Sequence, residues 1–130
     1  MTMEAEPLDA ILSRVSSVLP PGWEAVERGR AYHEGIRPEI VTVAVDYDAQ
    51  QDNPHLLTIG VDLDVWAPDS KQADDIAFVV ESSLNAWAVN TGRSGMIRLW
   101  AGSREAIDTD NDAFSRITMR LNGRGFRRTS

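Results

Sequence analysis

The chain of 130 residues contains no cysteine. This absence excludes disulfides, a thiolate nucleophile and cysteine-ligated zinc, and it suits a protein of a reducing cytoplasm. Long apolar runs are also missing, so the sequence predicts no membrane-spanning helix. The acidic residues 1–6 are unlike the basic and then apolar start of a signal peptide. We therefore expect one domain that is made in the cytoplasm and has no membrane partner.

Basic residues are too few to balance the acidic ones. There are 13 Lys and Arg against 20 Asp and Glu, which gives a net charge of −7. Affinity for nucleic acid rests mainly on neutralising phosphates, so this chain is a poor candidate for wrapping DNA or RNA. The charges are also unevenly distributed, with an acidic middle (Asp46, Asp48, Asp52, Asp62, Asp64, Asp69, Asp74 and Asp75) and a basic end (Arg116, Arg120, Arg124, Arg127 and Arg128).

The apolar pattern changes from one period to another between residues 57 and 88. Every odd position from Leu57 to Val65 is aliphatic, which is typical of a strand with one buried face. From Ala73 onward the apolar residues recur every three to four positions, which predicts a helix over residues 70–89 with Asp69 or Ser70 as its N-cap. None of the residues in this unit has the arrangement of a catalytic group.

The rest of the chain has similar signals. A helix is predicted over residues 7–18 and a loop over residues 27–37, whereas strands are predicted over residues 23–26, 39–47, 56–66, 96–101 and 114–122. The strands at 39–47 and 56–66 are joined without a helix and should form an antiparallel hairpin.

The order α-β-β-β-α-β-β predicts an α+β fold: an antiparallel sheet of four to five strands with two helices packed on one face. The domain should span residues 1–123, and residues 124–130 should form a mobile basic tail. The other sheet face would bear six polar residues toward solvent or a neighbour: Thr42, Asp46, Asp62, Asp64, Arg116 and Arg120.

Candidate catalytic and metal-binding residues have simpler structural explanations. His33 and His55 lie in predicted loops without a serine or carboxylate at a recognisable spacing. Residues 108–112 resemble the start of a calcium loop, but Ala113 stands where that loop needs glycine and Met119 where it needs glutamate. Asp62 and Asp64 would lie about 7 Å apart on one face, as paired acids of a glycosidase do, but on a flat strand without a cleft. The sequence thus predicts no enzyme, no cofactor and no metal site.

One family has the same succession of motifs. A helix that ends in Leu-Pro-Pro-Gly (residues 19–22) precedes a valine-rich strand, and the run Leu-Asp-Val-Trp-Ala-Pro-Asp-Ser (residues 63–70) leads into the second helix. This pattern resembles the tail terminator (minor tail) proteins of long-tailed bacteriophages. The resemblance extends from residue 8 to about residue 121, at the level of pattern.

The resemblance implies a structural protein without enzymatic activity. Its subunits would form a ring, usually a hexamer, on the head-proximal end of the tail tube, where the ring stops tube polymerisation and offers a surface for head–tail joining. The implied partners are other copies of the chain, the tail tube protein and a head-completion or connector protein. DNA would pass through the lumen without specific binding, and the location would be the neck of the virion. Two alternatives stay open: another neck component, or a small cytoplasmic α+β adaptor.

Contacts in a ring are head-to-tail, so two different patches of the subunit must be complementary. The charged residues are the candidates for this role, either at subunit interfaces or against other neck proteins. We expect them to include Asp62, Asp64, Arg116 and Arg120 on the sheet, Asp48 and Asp52 around the 48–54 loop, and Arg124, Arg127 and Arg128 in the tail.

Overall fold

The fold is given by a computed structural model, which describes residues 5–49, 56–90, 96–107 and 114–126. The elements in these ranges follow one another as α1 (Ala5–Val18), β1 (Glu24–Glu27), α2 (Arg28–Glu34), β2 (Ile40–Ala49), β3 (Leu56–Ala67), α3 (Ser70–Leu84), β4 (Ala88–Asn90), β5 (Met96–Ile107) and β6 (Ser115–Phe126). The fold is α+β, as the sequence predicted.

The described strands form one mixed sheet with the order β1-β2-β3-β6-β5-β4. The predicted hairpin is confirmed, since β2 and β3 pair antiparallel from Ile40 opposite Trp66 to Ala49 opposite Leu57. The expectation of a purely antiparallel sheet was wrong because β1 pairs parallel with β2. Parallel neighbours need a crossover between them, and here α2 is that crossover.

Helices α1 and α3 pack on one face of the sheet, as predicted. Odd-numbered residues of β2 and β3 point into this face, and Val43 and Leu63 among them are fully buried. They meet Ile11 and Val15 of α1 and the buried stripe of α3, which consists of Ala73, Ile76, Ala77, Val80 and Leu84. This face is the main hydrophobic core.

Helix α2 covers part of the opposite face, where the sequence had predicted a loop. Its residue Ala31 packs with Val26, Ile40 and Trp66 in a second, smaller apolar cluster. Glu27 caps the helix, because its carboxylate accepts hydrogen bonds from the backbone N–H groups of Gly29 and Arg30.

Three boundaries differ from the predicted ones by more than two residues. Helix α3 ends at Leu84, since the next residues bond to β5: the N–H of Ala86 donates to Leu99 and the N–H of Leu99 donates to Trp87. Strand β5 continues to Ile107 through a bulge between Ala101 and Ser103. Strand β6 continues to Phe126, into the segment predicted as a tail. In the described ranges, no helix is long and apolar enough to cross a membrane.

Candidate functional site

The face of the sheet opposite α1 and α3 carries the charged residues that the sequence placed there. Even-numbered residues of β2, β3 and β6 alternate with the core residues and lie side by side across the three strands. They form two groups. We call Arg28, Thr42, Asp64, Trp66 and Arg116 the inner cluster, and Asp46, Gly60, Asp62 and Arg120 the outer cluster.

In the inner cluster, a fully buried carboxylate is held by two arginines. The side chain of Asp64 is 0% exposed, and Arg116 donates to its Oδ1 at 3.0 Å while Arg28 of α2 reaches its Oδ2 at 3.5 Å. Thr42 Oγ1 donates to the same Oδ2 at 3.4 Å and accepts the indole N–H of Trp66 at 3.3 Å. The arginines are about one-third exposed, so the positive charge keeps contact with water while the negative charge does not.

Aromatic packing completes the inner cluster. The guanidinium of Arg116 lies 4.7 Å from the centre of the Trp66 ring, and Phe114 meets the same ring edge-on at 6.4 Å. The cation–π contact and the ion pair hold the Arg116 side chain in one orientation.

In the outer cluster, one arginine joins two aspartates across three strands. Arg120 donates to Asp62, directly opposite on β3, at 2.8 Å and reaches Asp46 on β2 at 3.4 Å. The hydrogen bond with Asp62, followed by the charges of Asp62 and Asp46, raises the pKa of Arg120 above its ordinary value. Gly60 lies directly opposite Asp46 and two residues before Asp62, and a Cβ there would overlap the guanidinium. The glycine therefore lets Arg120 lie flat against the sheet.

The same face ends in a basic and aromatic patch near the sheet edge. Arg98 and Arg124 are directly opposite each other on β5 and β6, and both are exposed. The guanidinium of Arg98 lies 5.7 Å from the ring centre of Trp100, which is 39% exposed. We call Arg98, Trp100 and Arg124 the basic–aromatic patch. Sequence reasoning had placed Arg124 in the tail and had not connected it with Arg98 and Trp100.

A second exposed aromatic lies on the outer side of α3. Phe78 is 63% exposed and its neighbour Val79 is 39% exposed. Asp74, Asp75 and Glu81 lie three or four residues from Phe78 and therefore surround it on the helix surface. We call these five residues the acidic helix patch. Sequence reasoning missed it, although Phe78 lies outside the apolar stripe that predicted the helix.

The remaining predicted positions lie apart from these clusters or outside the described residues. Asp48 is exposed on β2 opposite Thr58, and His33 is exposed in α2. Asp52, Arg127, Arg128, His55 and residues 108–113 fall outside the described ranges. Within those ranges, no three His, Asp or Glu side chains converge to hold a metal ion.

The geometry gives Asp62 and Asp64 structural partners. Asp64 has no exposed surface through which a substrate would reach it, and Asp62 is engaged by Arg120. The four charged residues predicted at an interface thus pair within one chain, and their part in contacts between subunits stays a prediction.

The fold has been seen in a virion. No family model matches the chain, and no curated protein matches it either. Among solved structures, a chain from the virion of a native gene transfer agent particle superposes with a TM-score of 0.54 at 13% sequence identity. The superposition covers 95% of this chain and 91% of that one. The likeness is one of fold, and it extends over nearly the whole of both chains.

Proposed function

We propose that the protein is a structural component of a tailed, phage-like virion. The observation that carries this proposal is the fold shared, over nearly the full length of both chains, with a chain of a gene transfer agent virion. The resemblance of residues 63–70 and the following helix to tail terminators supports a finer assignment. In that assignment, copies of the chain form a ring, a hexamer in the usual case, on the head-proximal end of the tail tube.

A ring in this place must stop the addition of tube subunits and accept head-completion or connector proteins. The surface that binds the tube must therefore differ from the surface that faces the head. If the head-facing surface were like the end of the tube, further tube subunits would add to it. The subunit has such differences: α1 and α3 cover one sheet face, whereas the other face carries ion pairs and the basic–aromatic patch.

The arrangement of charge supports a scaffold role. Ion pairs link β3 to β6 through Asp64–Arg116 and Asp62–Arg120, and Arg28 ties α2 to the same sheet. Such cross-strand pairs fix the register and orientation of side chains. They also occupy the carboxylates that an acid–base mechanism would need, so we propose no catalytic activity.

The net charge of −7 fits a channel through which DNA slides without specific binding. A negative lumen repels phosphates, whereas a basic one would retain them. The virion neck is accordingly the proposed location, and DNA is a passing partner.

The test is a mass measurement of the purified protein over a concentration series, by light scattering, with and without tail tubes from particles of the same source. Negative-stain imaging then shows where the protein sits on the tube. We expect rings, or particles seated on one end of each tube, and shorter tubes when the protein is present during polymerisation.

A matched mixture with an unrelated acidic protein of the same size controls for adsorption. Binding along the whole tube would contradict the terminator role. So would tubes that keep their length and whose ends carry no bound protein. Binding to the connector but not to the tube would instead indicate another component of the neck.

A further inference from the structure

We infer that the acidic helix patch of one subunit docks on the basic–aromatic patch of the next copy of this chain. This inference deepens the proposed function and rests on it, because it supplies the head-to-tail contact that a ring requires. Each patch binds a second copy of the chain, because the charges of the two patches are complementary.

The acidic helix patch has an apolar centre with an acidic rim. The exposed ring of Phe78 sits among Asp74, Asp75 and Glu81 on the solvent side of α3. Asp74 has one partner, Arg104 at 3.4 Å, and in the described part of the chain Asp75 and Glu81 have no ion pair. The patch thus offers carboxylates and a large aromatic surface together.

The basic–aromatic patch has the opposite charge. Like charges directly opposite each other on paired strands destabilise a sheet, and Arg98 and Arg124 have this relation. Neither forms an ion pair with any residue that the structure describes. Carboxylates brought by another subunit would relieve the repulsion between them. The exposed face of Trp100 lies beside them to receive an aromatic or aliphatic side chain.

The two patches lie on different sides of the subunit. Leu99 points into the core beneath α3, so the next residue, Trp100, points away from that helix. A contact between unlike patches on different sides of a subunit is heterologous. Repeated from copy to copy, it gives a ring where the rotation between subunits closes and an open filament where it does not. Pairing of either patch with its own copy would place like charges together, which disfavours a two-fold dimer.

The aromatic residues should dominate the affinity. Exposed aromatic side chains that become buried at the centre of an interface are the usual hot spots, with charged residues around them as a rim. Phe78 and Trp100 are therefore the positions at which a single change should have the greatest effect on assembly.

The experiment uses Phe78→Asp and Trp100→Asp in the full chain, with the mass measured across a concentration series. Tyr32→Asp is the matched control, because Tyr32 is 51% exposed but lies on α2, in neither patch. We expect wild type and Tyr32→Asp to self-associate equally, and each patch variant to associate at least about thirtyfold more weakly. Circular dichroism verifies the fold, and Arg98→Glu replaces Trp100→Asp if that variant does not fold.

The deciding step is a one-to-one mixture of the two patch variants. Each variant retains one intact patch, and the two intact patches are complementary, so the mixture should form a dimer that does not grow. A wild type that stays monomeric at every concentration overturns the inference, as does a mixture that stays monomeric. Loss of association in Phe78→Asp alone would reveal a two-fold contact through α3 and overturn it as well.

Failure of this inference and failure of the proposed function give different results. If rings form only when both patches are intact but do not bind tube ends, the interface is supported and the terminator role is contradicted. If both patch variants still cap the tube ends, the terminator role stands and the proposed interface is wrong.

Discussion

Asp62 and Asp64 lie two residues apart on the same face of β3, and each pairs with an arginine of β6. Their surroundings nevertheless differ: the side chain of Asp64 is 0% exposed and that of Asp62 is 31% exposed. The difference follows α2: its Arg28 reaches Asp64 and its Ala31 packs with Trp66, whereas the ion pairs of the outer cluster involve strand residues alone. Chemically similar pairs on one strand thus have different energetic roles, because an added helix changes the access of water to one of them.

The largest expected effect is that of Asp64→Ala. Removing the fully buried carboxylate leaves Arg28 and Arg116 close together without their shared counter-charge. Because both arginines are about one-third exposed, water relieves part of the penalty, and we expect a cost of about 3 kcal/mol of unfolding free energy, the low end for loss of one member of a buried pair. Urea denaturation measures this cost. The matched control is Asp62→Ala, for which water compensates and the cost should stay below about 1 kcal/mol. Equal costs for the two variants would remove the distinction between the clusters.

The hydroxyl of Thr42 offers a smaller change in the inner cluster. Thr42→Val keeps the shape of the side chain but removes both the acceptor of the Trp66 N–H and a donor to Asp64. A buried donor without its acceptor costs about 2 kcal/mol, so the free energy of unfolding should fall by this amount. Thr58→Val, at an exposed position of β3, is the control and should be near neutral. A neutral Thr42→Val would show that water replaces the hydroxyl and that the inner cluster is wet.

Gly60→Ala tests the outer cluster. The new Cβ would push the Arg120 guanidinium away from Asp46 and Asp62, at a cost of about 1 kcal/mol, because the displaced group is the end of a flexible, half-exposed side chain. In an Arg120→Ala background the same change should cost nothing or stabilise the strand slightly. The four unfolding free energies of this double-mutant cycle give the coupling. Full additivity would mean that Arg120 does not lie over Gly60 in solution.

The smallest effect is expected at the start of α3. The hydrogen bonds from the backbone and side chain of Gln72 lower the pKa of Asp69 below its ordinary value. A group whose pKa is lower in the folded state stabilises the protein above its unfolded pKa and loses this effect as the pH falls through the folded pKa. The stability difference between wild type and Asp69→Ala should therefore shrink on acidification below about pH 4. Thermal denaturation from pH 7 to pH 2 measures it, and a constant difference would contradict the capping role.

The parts of the fold that follow a local pattern were predictable from the sequence. The apolar stripe of α3 and the Asp69 cap are local signals, and the structure has both. Alternation in β3 correctly placed its odd-numbered residues in the core, but even-numbered ones such as Asp64 and Trp66 are buried as well, so β3 does not have one buried face only. The local patterns also placed Asp62, Asp64, Arg116 and Arg120 on a common face, since side chains of a strand alternate.

The parts that depend on tertiary contacts were not predictable. Helix α2 has only one buried residue, Ala31, and is capped by Glu27 instead of the usual Ser, Thr, Asp or Asn, so no periodic signal indicated it. Because α2 was not predicted, neither the parallel pairing of β1 nor the burial of Asp64 could be predicted. The two exposed patches were not predicted for a similar reason: the exposure of Phe78 and Trp100 depends on how the whole subunit packs.

The position of β6 in the sheet affects the order in which the protein can fold on the ribosome. This strand is synthesised after all the other described strands, yet it lies between β3 and β5. Until residues 115–126 emerge, β3 and β5 each lack a neighbour, and the nascent chain holds two separate halves of a sheet. Arg120, the partner of Asp62, and Arg116, one of the two arginines that pair with Asp64, are made with that same strand. Unfinished chains therefore expose an edge of β3 whose aspartates lack their β6 partners, and repulsion between such edges should disfavour strand pairing between two unfinished chains.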